Sequence, residues 1–207
     1  MKSDSCLARL MLVAVAGMLL TGCLLKRVTV STRHFILSPI STNEAAAAAP
    51  GHLSVGIGFV KMPSYLLRNS IAIRNGTNEI EYLEDALWAE GLDQCFQRTV
   101  AANLSRLLSS GSIYLTDWSR DQVMVKVFIN VQQFDVDTRG RGTLIARWRI
   151  TAPDSDIPLK SGHARLDRTG ASPRGNPEVI ATTLSDLAGE FSRTLAQSIR
   201  ESVKSSP

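Results

Sequence analysis

Few side chains in this 207-residue chain are of types and at spacings that do chemistry. Its three histidines, His34, His52 and His163, lie far outside helical reach of one another, so no two can bind a metal from neighbouring turns. His-Glu-x-x-His, Cys-x-x-Cys, Gly-x-Ser-x-Gly and Walker patterns are all missing from the sequence. Gly56-Ile57-Gly58 lacks the third glycine and the following helix of a dinucleotide fingerprint. One dense acidic run, Glu81, Glu84, Asp85, Glu90 and Asp93, raises paired-carboxylate chemistry. Spread over a strand end and a helix start, those carboxylates read as solvated charge and as complements to a helix N-terminus. Arg139/Arg141 and Arg147/Arg149 have the charge to bind phosphate groups of lipids or nucleic acid. Strand alternation explains the second pair, and no interleaved aromatics support base stacking. The expectation is a protein without catalytic residues, metal, cofactor or nucleic-acid partner.

The one chemically distinctive residue is a cysteine. Lys2 and Arg9 precede an unbroken apolar run, Leu10 to Leu20, which ends directly at Thr21-Gly22-Cys23. A basic start, a short apolar core and small residues make a secretory signal peptide; a bilayer span needs about 20 apolar residues. Leu20-Thr21-Gly22-Cys23 resembles the bacterial lipobox, in which the thiol accepts a diacylglyceryl group and the cysteine becomes the first mature residue. Residues 1–22 are then the signal peptide, 23–32 a lipidated tether and 33–207 one domain. Leu24 after the cysteine, in place of Asp, favours the outer membrane by resemblance to lipoprotein sorting, with the domain facing the periplasm. Cys6 leaves with the leader and Cys23 is acylated, so Cys95 is expected as a lone, buried, inert thiol. The mature chain keeps 21 basic and 18 acidic residues, a net charge of +3 that argues for no particular partner.

These features need a scaffold. Arg33–Pro39 reads as a short strand closed by proline, and the alanine run before Pro50 as a loop. Leu53, Val55, Ile57 and Phe59 alternate along a strand, with Gly56 and Gly58 on the other face. Ser70–Tyr82 reads as a hairpin with a type I′ turn at Asn75-Gly76. Leu92, Phe96, Val100, Leu104 and Leu108 form one helical stripe, stopped at Ser109-Ser110-Gly111. Strands follow over Ile113–Leu115, Gln122–Phe134, Thr143–Ile150 and Leu159–Asp167. Asn176, Pro177 and Glu178 then open a long helix with a stripe from Ile180 to Ile199. Short turns between strands imply largely antiparallel pairing, so the expected fold is α+β. It is two-layered, a mostly antiparallel sheet with two long helices on one face.

One stretch then stands out, Phe59 to Arg74. Val60-x-x-Pro63-x-Tyr65-Leu66-x-Arg68-x-x-Ile71-x-x-Arg74 resembles the signature of the ABC-type transport auxiliary lipoproteins, the family of paraquat-inducible protein C. His34-Phe-Ile-Leu-Ser-Pro39, Trp88-Ala-Glu-Gly-Leu92, Asp117-Trp118, Phe134 and Ala146-Arg-Trp148 are similar to other landmarks of that family, in order, the first of them its opening strand. Leu67, Asn69-Ser70 and Gly91 depart from it, standing where an Asp and two prolines are usual. The resemblance implies a non-catalytic accessory subunit of an intermembrane lipid-transport system that supports envelope integrity. Its implied partners are a mammalian-cell-entry (MCE) domain protein, membrane transporter subunits and further copies of itself, in a homo-oligomer that can close into a ring. The competing readings are a general outer-membrane assembly or integrity lipoprotein with other partners, and a periplasmic enzyme. Cys23 is the expected lipid anchor. Pro63, Tyr65, Leu66, Arg68, Arg74 and Trp88 are the candidate interface residues, aromatic, leucine and arginine anchors on a stiff corner.

Overall fold

The structure, a computed structural model, describes residues 31–41, 53–108, 112–116 and 118–204. The expected leader, Cys23, the tether as far as Val30, the alanine run, the Ser109–Gly111 helix stop and Asp117 lie outside them. The strands are β1 (Arg33–Phe35), β2 (Ser54–Ile57), β3 (Ser70–Asn75), β4 (Glu79–Trp88), β5 (Ser112–Leu115), β6 (Val125–Asp137), β7 (Arg141–Thr151) and β8 (Pro158–Thr169). The helices are α1 (Leu92–Leu107) and α2 (Glu178–Lys204). The α+β class is as expected.

The sheet is mixed, where a mostly antiparallel one was expected. β3–β4, β6–β7 and β7–β8 form the antiparallel ladders, while β1–β4, β2–β5, β2–β6 and β3–β6 pair parallel. The reason lies in β6. Its 13 residues are long enough for β2 to lie along its first half and β3 along its second, both on one edge and in one direction. β7 takes the other edge. Short loops argue for antiparallel neighbours only when consecutive strands pair with each other, and β2 and β3 instead share a third strand.

The core sits between the sheet and the helices. Phe96 of α1 meets Phe134 of β6 edge-on at 5.0 Å and Phe191 of α2 at 5.9 Å. The stripe Ile180, Leu184, Leu187, Phe191, Leu195 and Ile199 is buried as its period demands. Each such side chain contributes about 1.5–3 kcal/mol on burial. Cys95 is a free, buried thiol. Burial pushes its pKa up, the direction that makes it inert.

Two local expectations change. Asn75 pairs with Glu79 across the hairpin, so the loop is Gly76-Thr77-Asn78. Gly76 has φ +70°, whereas Asn75 has no positive φ, so the turn is not type I′. β4 also continues past Tyr82 to Trp88, because β1 pairs along its second half. A strap from Leu37 to Ile40 then runs on from β1 onto the helices. Its amides donate to Cys95 Sγ (3.2 Å), Ser185 Oγ (2.9 Å) and Asn103 Oδ1 (2.9 Å). Buried polar groups on both helices are thereby satisfied.

Candidate functional site

The corner between β2 and β3 is built as an excursion from one strand line. Lys61 bridges to Asn130 and Ile73 pairs with Val136, so twelve residues on one side span what six span on β6. The surplus leaves the sheet as a loop around the 3₁₀ turn Ser64–Leu66. Pro63 opens it with φ −57°, and its carbonyl accepts from Leu66 N at 3.0 Å. A proline suits this position because no ladder partner needs its missing N–H.

The loop is tied down by a single carboxylate. Asp135, only 2% exposed, accepts from Arg74 Nε (3.2 Å) and Gln133 Nε2 (2.8 Å) at Oδ1. At Oδ2 it accepts from Tyr65 Oη (2.7 Å) and Arg74 Nη2 (2.7 Å). Four donors fill the four acceptor sites of the carboxylate. Arg74 engages it as a fork, the geometry in which a guanidinium offsets a buried charge best. Burial, and then the bond to Asp135, push the Tyr65 phenol well above its ordinary value. The same carboxylate holds the Arg74 guanidinium more firmly protonated. Both shifts hold Tyr65 and Arg74 in their protonated forms. The arrangement is a lock.

Around the lock, Tyr82 Oη donates to the Tyr65 carbonyl (3.2 Å), and the Arg68 guanidinium lies over the Tyr82 ring at 4.6 Å. Trp88 N donates to the Asn69 carbonyl (2.7 Å), closing the far end of the loop. The structure thus brings all six candidate interface residues to one region and gives them different environments. Leu66 and Trp88 are core residues at 3% and 5% exposure. Tyr65 and Arg74 face inward to Asp135. Arg68 and its neighbour Leu67 are the outward-facing members.

Sequence reasoning did not single out Asp135, Gln133 and Tyr82. A signal for Asp135 exists: an acid between Phe134 and Val136 in an apolar strand needs a buried partner. Its phase was hidden by a bulge between Val131 and Gln133. That extra residue brings Phe134 and Val136 onto the same buried face as Val131 and turns Gln133 and Asp135 to the other. The acidic run does not converge. Glu81 accepts from Asn75, and Glu90 pairs with Arg98. Among the described residues no group of three or more His, Cys, Asp or Glu is placed to hold a metal. No described helix is long and apolar enough to cross a membrane.

Residues 35–201 match the family described as the ABC-type transport auxiliary lipoprotein component. The intermembrane transport lipoprotein PqiC of Escherichia coli is 28% identical over 99 residues, 47% of this chain and 51% of that protein. PqiC of Shigella flexneri matches to the same extent. The chain therefore spans about half the length of the curated relatives it matches. Two solved structures share the fold. A crystal structure of an uncharacterized protein has TM-score 0.67 at 19% identity, covering 82% of this chain and 99% of that one. A protein from Xanthomonas campestris has TM-score 0.68 at 12% identity, covering 85% of this chain and all of the other.

Proposed function

The chain belongs to the ABC-type transport auxiliary lipoprotein family, and we propose that it is a lipid-anchored, non-catalytic accessory subunit of an intermembrane lipid-transport system. The observation that carries this reading is the family match over residues 35–201, which takes in both the locked corner and the two helices. In this role Cys23 is acylated and holds the domain on the periplasmic side of the outer membrane. Several acyl chains on one residue, at about 0.8 kcal/mol per buried CH₂, anchor it without a membrane-spanning segment. The partners are an MCE-domain protein and its membrane transporter subunits. The corner presents Arg68 and Leu67 to a neighbouring subunit, a second copy in a ring or the transporter itself. The lock beneath supports that role, since anchors held rigid before binding lose less entropy on assembly.

A complementation assay tests the anchoring and envelope parts together. Cells lacking the chain are expected to become sensitive to detergent, with growth restored by the native sequence and not by Cys23→Ser. Full restoration by Cys23→Ser would contradict a role that depends on the lipid anchor.

A further inference from the structure

The sheet face turned away from α2 carries a site that the corner does not use. Orientation follows from Gly142 of β7, where a Cβ would lie 2.6 Å from Thr183 and 2.9 Å from Leu187 of α2. Gly142, Leu144, Ala146, Trp148 and Ile150 therefore face the helix, and Arg147 and Arg149 face away from it.

On that outer face the register lines up two rows. Lys61 pairs with Asn130, Asn130 with Arg147, and Arg147 with His163. Adjacent strands lie about 4.8 Å apart, so Lys61 and Arg147 flank the Asn130 amide from either side. In the next row Phe128 pairs with Arg149, whose guanidinium stacks on the Phe128 ring at 4.5 Å. Gly58 makes room for that ring, since a Cβ there would lie 3.2 Å from it. A stacked guanidinium keeps its N–H donors free around its edge. Phe59, 79% exposed, stands at the rim. Phe59, Lys61, Phe128, Asn130, Arg147 and Arg149 line a cleft of about 310 Å³. A second cleft over β7 and β8 continues it, sharing Arg147 and Trp148.

The charge is one-sided. No carboxylate lines the first cleft, and Lys61, Arg147 and Arg149 form no ion pair among the described residues. The acids nearest on this side have other partners: Asp135 pairs with Arg74, Asp156 with Lys126, Asp167 with Arg141 and Arg165, and Asp137 accepts from the Arg139 and Arg141 amides. Uncompensated cations beside a neutral amide and one exposed ring, Phe59, complement an anion with an apolar attachment.

We propose that this cleft binds the phosphate group of a phospholipid, with Lys61, Asn130, Arg147 and Arg149 on the headgroup and Phe59 against the first part of an acyl chain. The inference rests on the transport reading above for the presence of a lipid, and gives this chain direct contact with it. An acidic segment lacking apolar side chains would satisfy the cations but leave Phe59 without an apolar partner.

The test replaces Phe59 with the photo-crosslinker p-benzoylphenylalanine in the full-length chain, in cells grown on radiolabelled phosphate. Irradiation is expected to give a labelled adduct with the mass of a diacyl phospholipid, at least fivefold above the same replacement at Gln197, an exposed position on α2. Combining Arg147→Gln with Arg149→Gln should cut the adduct by roughly fivefold per cation removed. Lys61→Gln provides a second, independent reduction, and thermal melts show whether each variant is folded. No labelled adduct, equal adducts at Phe59 and Gln197, a yield insensitive to all three charge changes in folded protein, or a crosslink to protein alone would each overturn the proposal. The same samples are probed for an MCE-domain protein. If it co-purifies while the lipid adduct fails, only the lipid site is wrong; if it never co-purifies, the transport reading itself fails.

Discussion

Asp135 is where residue-scale physics is sharpest. A carboxylate 2% exposed is tolerable only because Arg74, Tyr65 and Gln133 surround it. Removing the cation while leaving the acid should be the worst single change. Arg74→Ala is expected to cost about 3–5 kcal/mol in chemical denaturation, and more than Asp135→Asn, which removes the charge as well. Tyr65→Phe deletes a hydrogen bond to a charged group and should cost about 1.5–3 kcal/mol near neutral pH. Its pH dependence has a definite sign. The phenol is pushed up in the folded state, so above a pH of about 10 the unfolded chain releases that proton while the folded chain retains it. Native stability must then fall with rising pH, and Tyr65→Phe should show a shallower alkaline loss. A steeper loss in the Phe variant would contradict the assigned bond. At this scale the sequence was half legible. The corner's Tyr and Arg were visible from their types and spacing, but the acid they serve lies seventy and sixty-one positions away. Local patterns do not encode such pairings.

At the scale of elements, both helices and strands β2, β6 and β7 were legible from periodicity, because a half-buried element writes its inner face into the sequence. β1 is shorter than the Arg33–Pro39 strand expected, and Phe59, expected on the inner face with Ile57, is exposed. The β6 bulge and the continuation of β4 were not legible, since each depends on a neighbour distant in sequence. The strap over the helices is a similar case. Asn103, fully buried, accepts from Ile40 N and donates to Ser192 Oγ at 3.0 Å. Asn103→Ala should leave the Ile40 amide unpaired, at a cost of about 1–3 kcal/mol, while Ser192 Oγ keeps its bond to the Ala188 carbonyl. Gly189 is small for the same reason, since a Cβ there would lie 2.7 Å from Ile40. Gly189→Val should lift the strap, seen as faster amide exchange at Ser38 and Ile40 with little change in the core of β6 and β7. Uniform exchange across the protein would contradict a strap that is held locally.

At the scale of the whole molecule, the fold and its family are established, while the assembly is the proposal. The locked corner separates two variants that composition would treat alike. Tyr65→Ala breaks the Asp135 network and so perturbs fold and assembly together. Arg68→Ala removes only an exposed stacking contact, worth about 0.5–1 kcal/mol. If the corner is an interface, Arg68→Ala should leave the melting temperature nearly unchanged and lower the assembled mass seen by light scattering. An unaltered mass would make the stretch a corner and nothing more. The signal peptide and lipobox are read from the sequence alone, and palmitate labelling checks them: Cys23→Ser should lose the label. Most direct for the central claim is co-purification of the full-length chain, with Cys23 intact, from envelopes opened in mild detergent. The account predicts that an MCE-domain transport protein comes with it in stable proportion. Its repeated absence, with the chain folded and acylated, would contradict the account.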